Sequence, residues 1–419
     1  MRIKELYKLY INSYLVDTDT RRIRKGSIFF ALKGDNFNGN EFAEEALNKG
    51  ASYSIVDEER YKTNDNIILV GNVLETLQQL ANFHRRELNI PIIGLTGSNG
   101  KTTTKELINA VLSRKYKTTA TLGNLNNHIG VPLTLLSMNK ETEVGIVEMG
   151  ANHRGEIKLL AEIAEPSLGY ITNFGKAHLE GFGSVQGVIE GKSELYQFIR
   201  KSNNTIVVNQ DDLIQMERST DTNRVFFNES LKYVGANPFV KLNFKDITIQ
   251  SNLLGKYNYN NIAAAITIGE YFEVSTEEMK FAIENYTPTN NRSQILTKGS
   301  NEIILDAYNA NPTSMKAALE NFDNYDAGIK VVILGDMFEL GNDSSVEHQR
   351  IVELAEGSSF SKILLVGENF NNTKVQTAKR FKSFQDLKEH LVHFKITNTS
   401  ILIKGSRGMA LERCLDYIN

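Results

Sequence analysis

The sequence predicts an α/β protein of three domains: a small α/β N-terminal domain over residues 1–88, a central domain over 89–292 whose mostly parallel sheet carries a phosphate loop, and a Rossmann-like C-terminal domain over 293–419. Three observations predict it. An apolar run at 92–95 passes through a glycine turn into a helical pattern that opens at Lys101, which is strand, loop, helix. Beyond residue 293, short apolar runs alternate with helix-length amphipathic segments: 302–305, 312–322, 330–334, 345–354, 362–367, 384–394, 401–404 and 409–418. Such alternation calls for a mostly parallel sheet covered by helices. Pro91 and Thr287-Pro288-Thr289 fall where these patterns change and mark the boundaries.

A chain of 419 residues can bury the cores of several domains, and its 41% hydrophobic and 23% charged residues are ordinary for a folded protein. A net charge of -3 gives no electrostatic reason to expect nucleic acid or an anionic membrane as partner. The single Cys414 excludes an internal disulfide and a cysteine zinc site, and fits a reducing compartment. Met1-Arg2-Ile3-Lys4 lacks the apolar core of a signal peptide, and no run approaches the roughly 20 apolar residues that span a bilayer. A soluble, cytoplasmic protein is expected.

In the first region, residues 27–32 read as a strand, 41–48 as a helix ended at Gly50, 52–56 as a strand and 73–88 as a helix. Before them, Thr18-Asp19-Thr20-Arg21-Arg22-Ile23-Arg24-Lys25-Gly26 is a basic cluster. It reads as solvated surface or as a clamp for an anionic group such as a diphosphate, whose oxygens match guanidinium forks.

The second region holds Thr96-Gly97-Ser98-Asn99-Gly100-Lys101-Thr102-Thr103. Glycines let backbone N–H groups approach a polyphosphate, and the following helix N-terminus adds partial positive charge. Lys101 can reach the β- and γ-phosphates, and the Thr102 hydroxyl is placed to ligate Mg²⁺. Leu95 stands where the general phosphate-loop pattern has its first glycine, so this turn is a tighter variant. A nucleoside triphosphate is the expected ligand. Downstream, Gly123-Asn124-Leu125-Asn126-Asn127-His128-Ile129-Gly130 reads as turns, or as amides that contact phosphate or metal-bound water.

The apolar strand at 144–148 ends in Glu148, either a helix cap or a hard oxygen ligand for Mg²⁺ at the carboxyl end of a parallel strand. A further strand at 168–171 runs towards His178, and the helix from 184 carries Lys192, which by composition is a surface lysine. Gly181-Phe182-Gly183 lacks the strand and third glycine of a dinucleotide fingerprint. Residues 240–251 alternate as strands, 253–261 lead into an alanine-rich helix, and Ser275 with Glu278 forms a capping box. Asp306 lies just past the first strand of the last region.

Several stretches together resemble the Mur ligases, the ATP-dependent amide-bond-forming enzymes of peptidoglycan synthesis. They are Thr-Gly-Ser-Asn-Gly-Lys-Thr-Thr (96–103), Gly-Asn-Leu-Asn-Asn (123–127), Glu-Met-Gly-Ala-Asn (148–152), Ala-His-Leu-Glu-Gly-Phe-Gly-Ser (177–184) and Asp-Ala-Tyr-Asn-Ala-Asn-Pro (306–312). The last three, with Leu-Gly-Asp-Met-Phe-Glu-Leu-Gly (334–341) and Lys-Gly-Ser-Arg (404–407), are similar to the member that adds D-alanyl-D-alanine to UDP-N-acetylmuramoyl-tripeptide.

The resemblance implies that Gly97, Ser98, Asn99, Gly100, Lys101, Thr102 and Thr103 hold ATP, with Thr102 and Glu148 on a first Mg²⁺ and His178 on a second. It implies that Lys192 can be carbamylated, which turns a cation into an anionic metal-bridging group. Asn261 falls at the adenine, Arg292 and Asp306 near the ribose and phosphates, and Asn309 at a further nucleotide contact. Lys101, Glu148, His178 and Lys192 are the implied catalytic groups. Thr20 and Arg21 fall in the part that holds the UDP-sugar, Asn126 and Asn127 on the substrate side, and Lys404, Ser406 and Arg407 on the side of the dipeptide. The implied partners are those two substrates, without nucleic acid or membrane, and a monomer is expected.

Tyr257 stands where the family commonly has histidine, Asn38-Gly39-Asn40 where it has Asp-Gly-His, and His128 where it has an acid. A folylpolyglutamate synthetase-like ligase and a P-loop nucleotide switch are the rival readings. The N-terminal region and Tyr-Asn-Ala-Asn-Pro speak against the first, and Glu148, His178 and a whole domain after the loop against the second. Hinge closure around Pro91 and Pro288 would keep water from an activated carboxyl group.

Overall fold

The computed structural model describes residues 2–394 and 396–418. Its N-terminal sheet is four-stranded and wholly parallel, in the spatial order Val16–Asp17, Ile28–Phe30, Tyr53–Val56, Ile67–Leu69. Asn72 starts the helix Val73–Leu88 by accepting the Glu75 backbone N–H, and Asn89 ends it in the left-handed region, so both ends follow from asparagine. One face of this helix buries Val73, Leu77, Leu80 and Ala81. These share a single apolar core with Leu6 and Tyr10 of the helix Ile3–Tyr10 and with Val131, Leu135, Leu160 and Ala161 of the central region. The N-terminal region is therefore fused to the centre by packing and does not hang from a linker.

The central sheet has six parallel strands in the order Asn223–Phe226, Thr205–Val208, Leu168–Ile171, Ile92–Thr96, Val144–Glu148, Thr118–Ala120. The strand Ile92–Thr96 is buried at every position, as its unbroken apolar run requires of a strand covered on both faces. The helices Lys101–Leu112 and Tyr257–Tyr271 cover one face through Leu107, Ile108, Val111, Ile262 and Ile266, all without solvent exposure. A three-stranded antiparallel sheet of Lys232–Ala236, Phe239–Phe244 and Ile247–Leu254 packs beside them.

The C-terminal sheet orders its strands Gln294–Lys298, Asn301–Asp306, Thr399–Lys404, Ile329–Gly335, Lys362–Val366, Lys379–Phe381, parallel except for the first. Separate apolar cores fill its two faces. The three-layer α/β reading holds here. Two local expectations do not. The tail expected as a helix over 409–418 forms the 3-10 turns Arg407–Met409 and Leu411–Tyr417, because Ala410 is held in the left-handed region between them. The stretch expected as turns around 123–132 already contains the start of the helix Gly130–Leu135, whose first N–H groups are taken by the Asn127 side chain. At the helix Thr276–Asn285, Ser275 accepts the Glu278 backbone N–H as expected of the cap. Among the described residues no helix is long and apolar enough to cross a membrane.

Tyr10 is fully buried and its hydroxyl donates to the Leu136 carbonyl at 2.8 Å, across the junction of the first two regions. Tyr10→Phe is expected to cost about 1 kcal/mol of stability by orphaning that carbonyl, and Tyr10→Ala about 3–5 kcal/mol by leaving a cavity. Urea midpoints measured by circular dichroism check both. The loss should appear in one transition that includes the central region.

Candidate active site

Strand register builds the site. Ile92–Thr96 pairs with Leu168–Ile171 so that Thr96 is level with Ile171, and with Val144–Glu148 so that Leu95 is level with Glu148. Three neighbouring strands thus end at one edge, the carboxyl edge where open parallel sheets receive ligands.

The phosphate loop leaves the middle strand with Gly97 at φ 142° and Gly100 at φ 80°. Side chains are excluded there sterically as well, since a Cβ on Gly97 would stand 1.9 Å from Thr172 Oγ1 and one on Gly100 2.6 Å from Asn261 Oδ1. The adjacent loop holds the turn open through its backbone. Thr172 and Asn173 donate to the Asn99 carbonyl at 2.6 and 3.0 Å, Asn173 accepts the Asn99 N–H at 3.1 Å, and Ser98 Oγ donates to the Gly175 carbonyl at 2.7 Å. The helix Lys101–Leu112 has no side-chain cap, so its first N–H groups face outward for an anion. Lys101 Nζ donates back to the Gly97 carbonyl at 2.7 Å. Burial lowers its pKa below the usual lysine value, against the opposing pull of Glu148 and with help from Arg292.

Glu148 is 1% exposed. One carboxylate oxygen accepts from Asn126 Nδ2 at 2.8 Å, and the other is buried with no partner. An unpaired buried carboxylate oxygen is costly, and a cation relieves it. Among the described residues no group of three or more His, Cys, Asp or Glu side chains is arranged to hold a metal. A hard cation at Glu148 would therefore complete its shell from phosphate oxygens and water, which is the habit of Mg²⁺.

Lys192 lies in the helix Val185–Lys201, fully buried, with Nζ donating to the Ala151 carbonyl at 3.1 Å and standing 5.1 Å from the centre of the Phe182 ring. Burial, then the charge of Lys101, hold its amine well below the ordinary lysine range.

Opposite, Asn261 accepts from Thr104 Oγ1 at 3.1 Å and donates to Asn258 Oδ1 at 2.7 Å, which fixes its amide beside the loop. The Arg292 guanidinium lies 3.7 Å over the Tyr308 ring, with Nε buried and unpaired. Asp306 takes Lys404 Nζ at 2.6 Å and the Ser293 N–H at 3.1 Å, and Lys404 also reaches the Asn309 carbonyl at 3.3 Å. Ser406 Oγ accepts the Phe338 N–H at 2.9 Å, while Arg407 is largely exposed and pairs with Glu412 at 3.0 Å.

All of these face one cleft of about 730 Å³. Of the residues expected from sequence, it is lined by Ser98, Asn99, Gly100, Lys101, Thr102, Thr103, Asn126, Asn127, Glu148, His178, Asn261, Arg292, Asp306, Asn309, Lys404, Ser406 and Arg407. Gly97 and Lys192 do not line the cleft but touch it through Lys101 and Ala151. Thr20 and Arg21 stand apart in a 3-10 turn of the N-terminal region. There Arg21 pairs with Asp19 at 2.6 Å, and its hydrogen bonds hold that carboxyl at about 2.

Sequence reasoning passed over Tyr308, Phe338 and Glu339, which also line the cleft. Glu339 places a carboxylate oxygen against His178 Nδ1 and sits in the left-handed region at φ 62°, a conformation unusual for glutamate. Its signal was present in the 334–341 stretch, where no role had been attached to it.

A phosphate loop, a free carboxylate oxygen at the next strand tip, and a second parallel-sheet region closing the cleft define a nucleotide-dependent ligase of the Mur type. Residues 12–85, 95–269 and 291–407 match, in that order, the Mur ligase family catalytic domain, the Mur ligase middle domain and the Mur ligase glutamate ligase domain. The chain belongs to the Mur ligase family. It is 35% identical, over 95% of its own length and 91% of the relative's, to the UDP-N-acetylmuramoyl-tripeptide–D-alanyl-D-alanine ligase of Bacillus subtilis. It superposes on a crystal structure of MurF from Acinetobacter baumannii with TM-score 0.84 at 31% identity, covering 96% and 92% of the two chains. With MurF ligase from Thermotoga maritima in complex with ADP the TM-score is 0.85 at 27% identity, covering 96% of each chain.

Lys105, one turn beyond Lys101, is 3% exposed and donates to the Thr121 carbonyl at 2.7 Å. Burial lowers its pKa, with Glu148 and Glu106 opposing. The unfolded chain then holds this proton to higher pH than the folded one does, so stability rises as pH climbs towards the ordinary lysine value of about 10.4. Lys105→Met is expected to flatten that rise on the alkaline approach to about pH 10, read from urea unfolding across the range.

Proposed function

We propose that this chain is an ATP-dependent ligase that joins D-alanyl-D-alanine to UDP-N-acetylmuramoyl-tripeptide, releasing ADP and phosphate, in the synthesis of peptidoglycan precursors in the cytoplasm. One observation carries the reading. The phosphate loop with Lys101 and the unpaired Glu148 oxygen faces Arg292, Asp306, Lys404 and Arg407 of the last region across a single cleft. The near full-length likeness to ligases of this activity supports it.

A carboxylate is a poor acyl donor because its leaving group would be oxide. Attack of a tripeptide carboxylate oxygen on the ATP γ-phosphorus expels ADP and leaves an acyl phosphate. The dipeptide amine then attacks the acyl carbon, loses a proton and expels phosphate, forming the amide. Charge builds on phosphoryl and acyl oxygens throughout, so fixed cations are the main catalytic device. Lys101 and the uncapped helix N-terminus hold the β- and γ-phosphates, with Gly97 to Thr103 shaping the turn. Asn261 takes the adenine, Arg292 and Asp306 the ribose and phosphates, and Asn309 a further nucleotide contact.

Thr102 and Glu148 would hold one Mg²⁺ and His178 a second, which when bound supply Lewis-acid stabilisation of phosphoryl oxygens. Lys192 suits carbamylation. Burial favours the neutral form of its amine, which can bond to the carbon of CO₂ with loss of a proton and become an anion. Asn126 and Asn127 lie on the substrate side, and the region over 1–88, with Thr20 and Arg21, takes the UDP-sugar. Lys404, Ser406 and Arg407 take the dipeptide in the region over 293–419.

Phosphate release tests this. It should require UDP-muramoyl-tripeptide and D-alanyl-D-alanine together, in a lysine or a diaminopimelate form of the tripeptide. Release that ignores the dipeptide, or that needs a folate in its place, would overturn the reading. Glu148→Gln is expected to lower kcat by about 10²–10³-fold with the folded state retained, measured by the same assay and by thermal denaturation.

A further inference from the structure

Arg292 enters the cleft from the segment joining the helix Thr276–Asn285 to the strand Gln294–Lys298, and little at its own tip holds it. Its guanidinium rests on one ring face and its Nε has no partner. Its direction therefore comes from the backbone on either side, and that backbone is unusual. Asn291 at φ 56° and Ser293 at φ 50° flank it in the left-handed region, which side-chain-bearing residues avoid unless the surroundings impose it.

The surroundings do impose it. On the C-terminal side the Ser293 N–H donates to Asp306, Ser293 Oγ bonds the Tyr257 hydroxyl at 2.8 Å, and the Tyr308 N–H donates to the Asn291 carbonyl at 3.2 Å. Ahead of Arg292, two side chains are fixed by one residue, Glu106 of the phosphate-loop helix. One of its carboxylate oxygens takes the Tyr286 hydroxyl and the other takes Asn290 Nδ2 at 2.9 Å. Glu106 lies one turn beyond Thr102 on the helix whose N-terminus bounds the cleft. A single carboxylate thus ties the phosphate-binding helix to two points, Tyr286 and Asn290, of the segment that leads into Arg292. It lines no part of the cleft itself.

We infer that Glu106 is a positioning residue for nucleotide binding: by clamping Tyr286 and Asn290 it sets Arg292 in register with the phosphate loop. The inference rests on the reading above in which Arg292 meets the nucleotide. Both carboxylate oxygens accept at once. Glutamine keeps the acceptor for Asn290 but meets Tyr286 only by turning that hydroxyl from donor to acceptor and by losing the charge, so it keeps a weaker clamp.

Equilibrium binding of ADP, followed by dialysis and needing no turnover, tests it in the full chain. Wild-type protein that binds no ADP would overturn the nucleotide reading itself. Given wild-type binding, Glu106→Ala should weaken ADP by about tenfold, with Glu106→Gln and Tyr286→Phe intermediate. In an Arg292→Ala background Glu106→Ala should add less than about twofold, because the clamp has nothing left to aim. An equal loss in both backgrounds would mean that Glu106 only stabilises the fold, and unchanged binding in Glu106→Ala would mean that the clamp is idle; either overturns the inference. Tyr286→Phe leaves the helix untouched and carries the same comparison should Glu106→Ala not fold.

Discussion

The parallel register of three strands, Ile92–Thr96 between Val144–Glu148 and Leu168–Ile171, is the constraint on which the rest of the molecule depends. Backbone hydrogen bonding makes the tips level. A one-residue slip would turn Glu148 away from the edge and exchange its buried face for an apolar side chain. Because the tips are level, the loop after Ile171 is close enough for Thr172 and Asn173 to bond the backbone of the glycine turn. Preorganisation of the phosphate loop is thus a property of the sheet, expressed through the two glycines that let the strands approach.

Charge then explains why such a cleft wants a polyanion. Lys105 and Lys192 are buried and Lys101 half-buried, each donating to a backbone carbonyl, and Arg292 keeps a buried nitrogen unpaired. Burial lowers the affinity of Lys101 and Lys192 for their protons, helped by the charge of Arg292 at the first and of Lys101 at the second. Glu148 opposes this at Lys101, and one of its carboxylate oxygens is unpaired. A fold that tolerates such an imbalance gives up stability at this point, and the phosphates of a bound nucleotide offset it.

Legibility in the sequence followed the range of the interactions involved. Elements whose signals are local were read almost residue for residue: the helix Val73–Leu88 from its periodicity, and the strand Leu168–Ile171 from its apolar run. The tail beyond residue 409 has helical periodicity too, but its conformation is set by Ala410, held in the left-handed region. In the site, residues at the ends of strands announced themselves, because a polar group after an apolar run is visible in one dimension. Lys192 did not: inside an amphipathic helix it reads as surface, and only packing under Ala151 and Phe182 makes it a buried amine. Glu106 was hidden for the same reason, since its partners lie 180 and 184 positions away.

The two outer regions are joined to the centre by different physics, and this decides which of them can move. The N-terminal region shares a continuous apolar core with the central helices, so parting them at Pro91 would expose Tyr10, Leu77, Leu80 and their neighbours to water. Each such side chain is worth roughly 1.5–3 kcal/mol. The C-terminal region meets the centre at the cleft through polar contacts: Asn311 with Asn99 at 2.7 Å, the Lys176 N–H with Thr313 at 3.1 Å, Lys176 with Glu347 at 2.8 Å, and His178 with Glu339. Partly exposed pairs of this kind contribute about 0–1 kcal/mol each and exchange readily for water. Leu254 and Phe239 add the apolar part of that junction. Separation at Pro288 is therefore cheap where separation at Pro91 is not, and the segment beyond Pro288 is the one that carries Arg292. A cleft that admits three substrates and then excludes water needs one compliant joint and one stiff one, and the distribution of apolar surface assigns the compliant joint to Pro288.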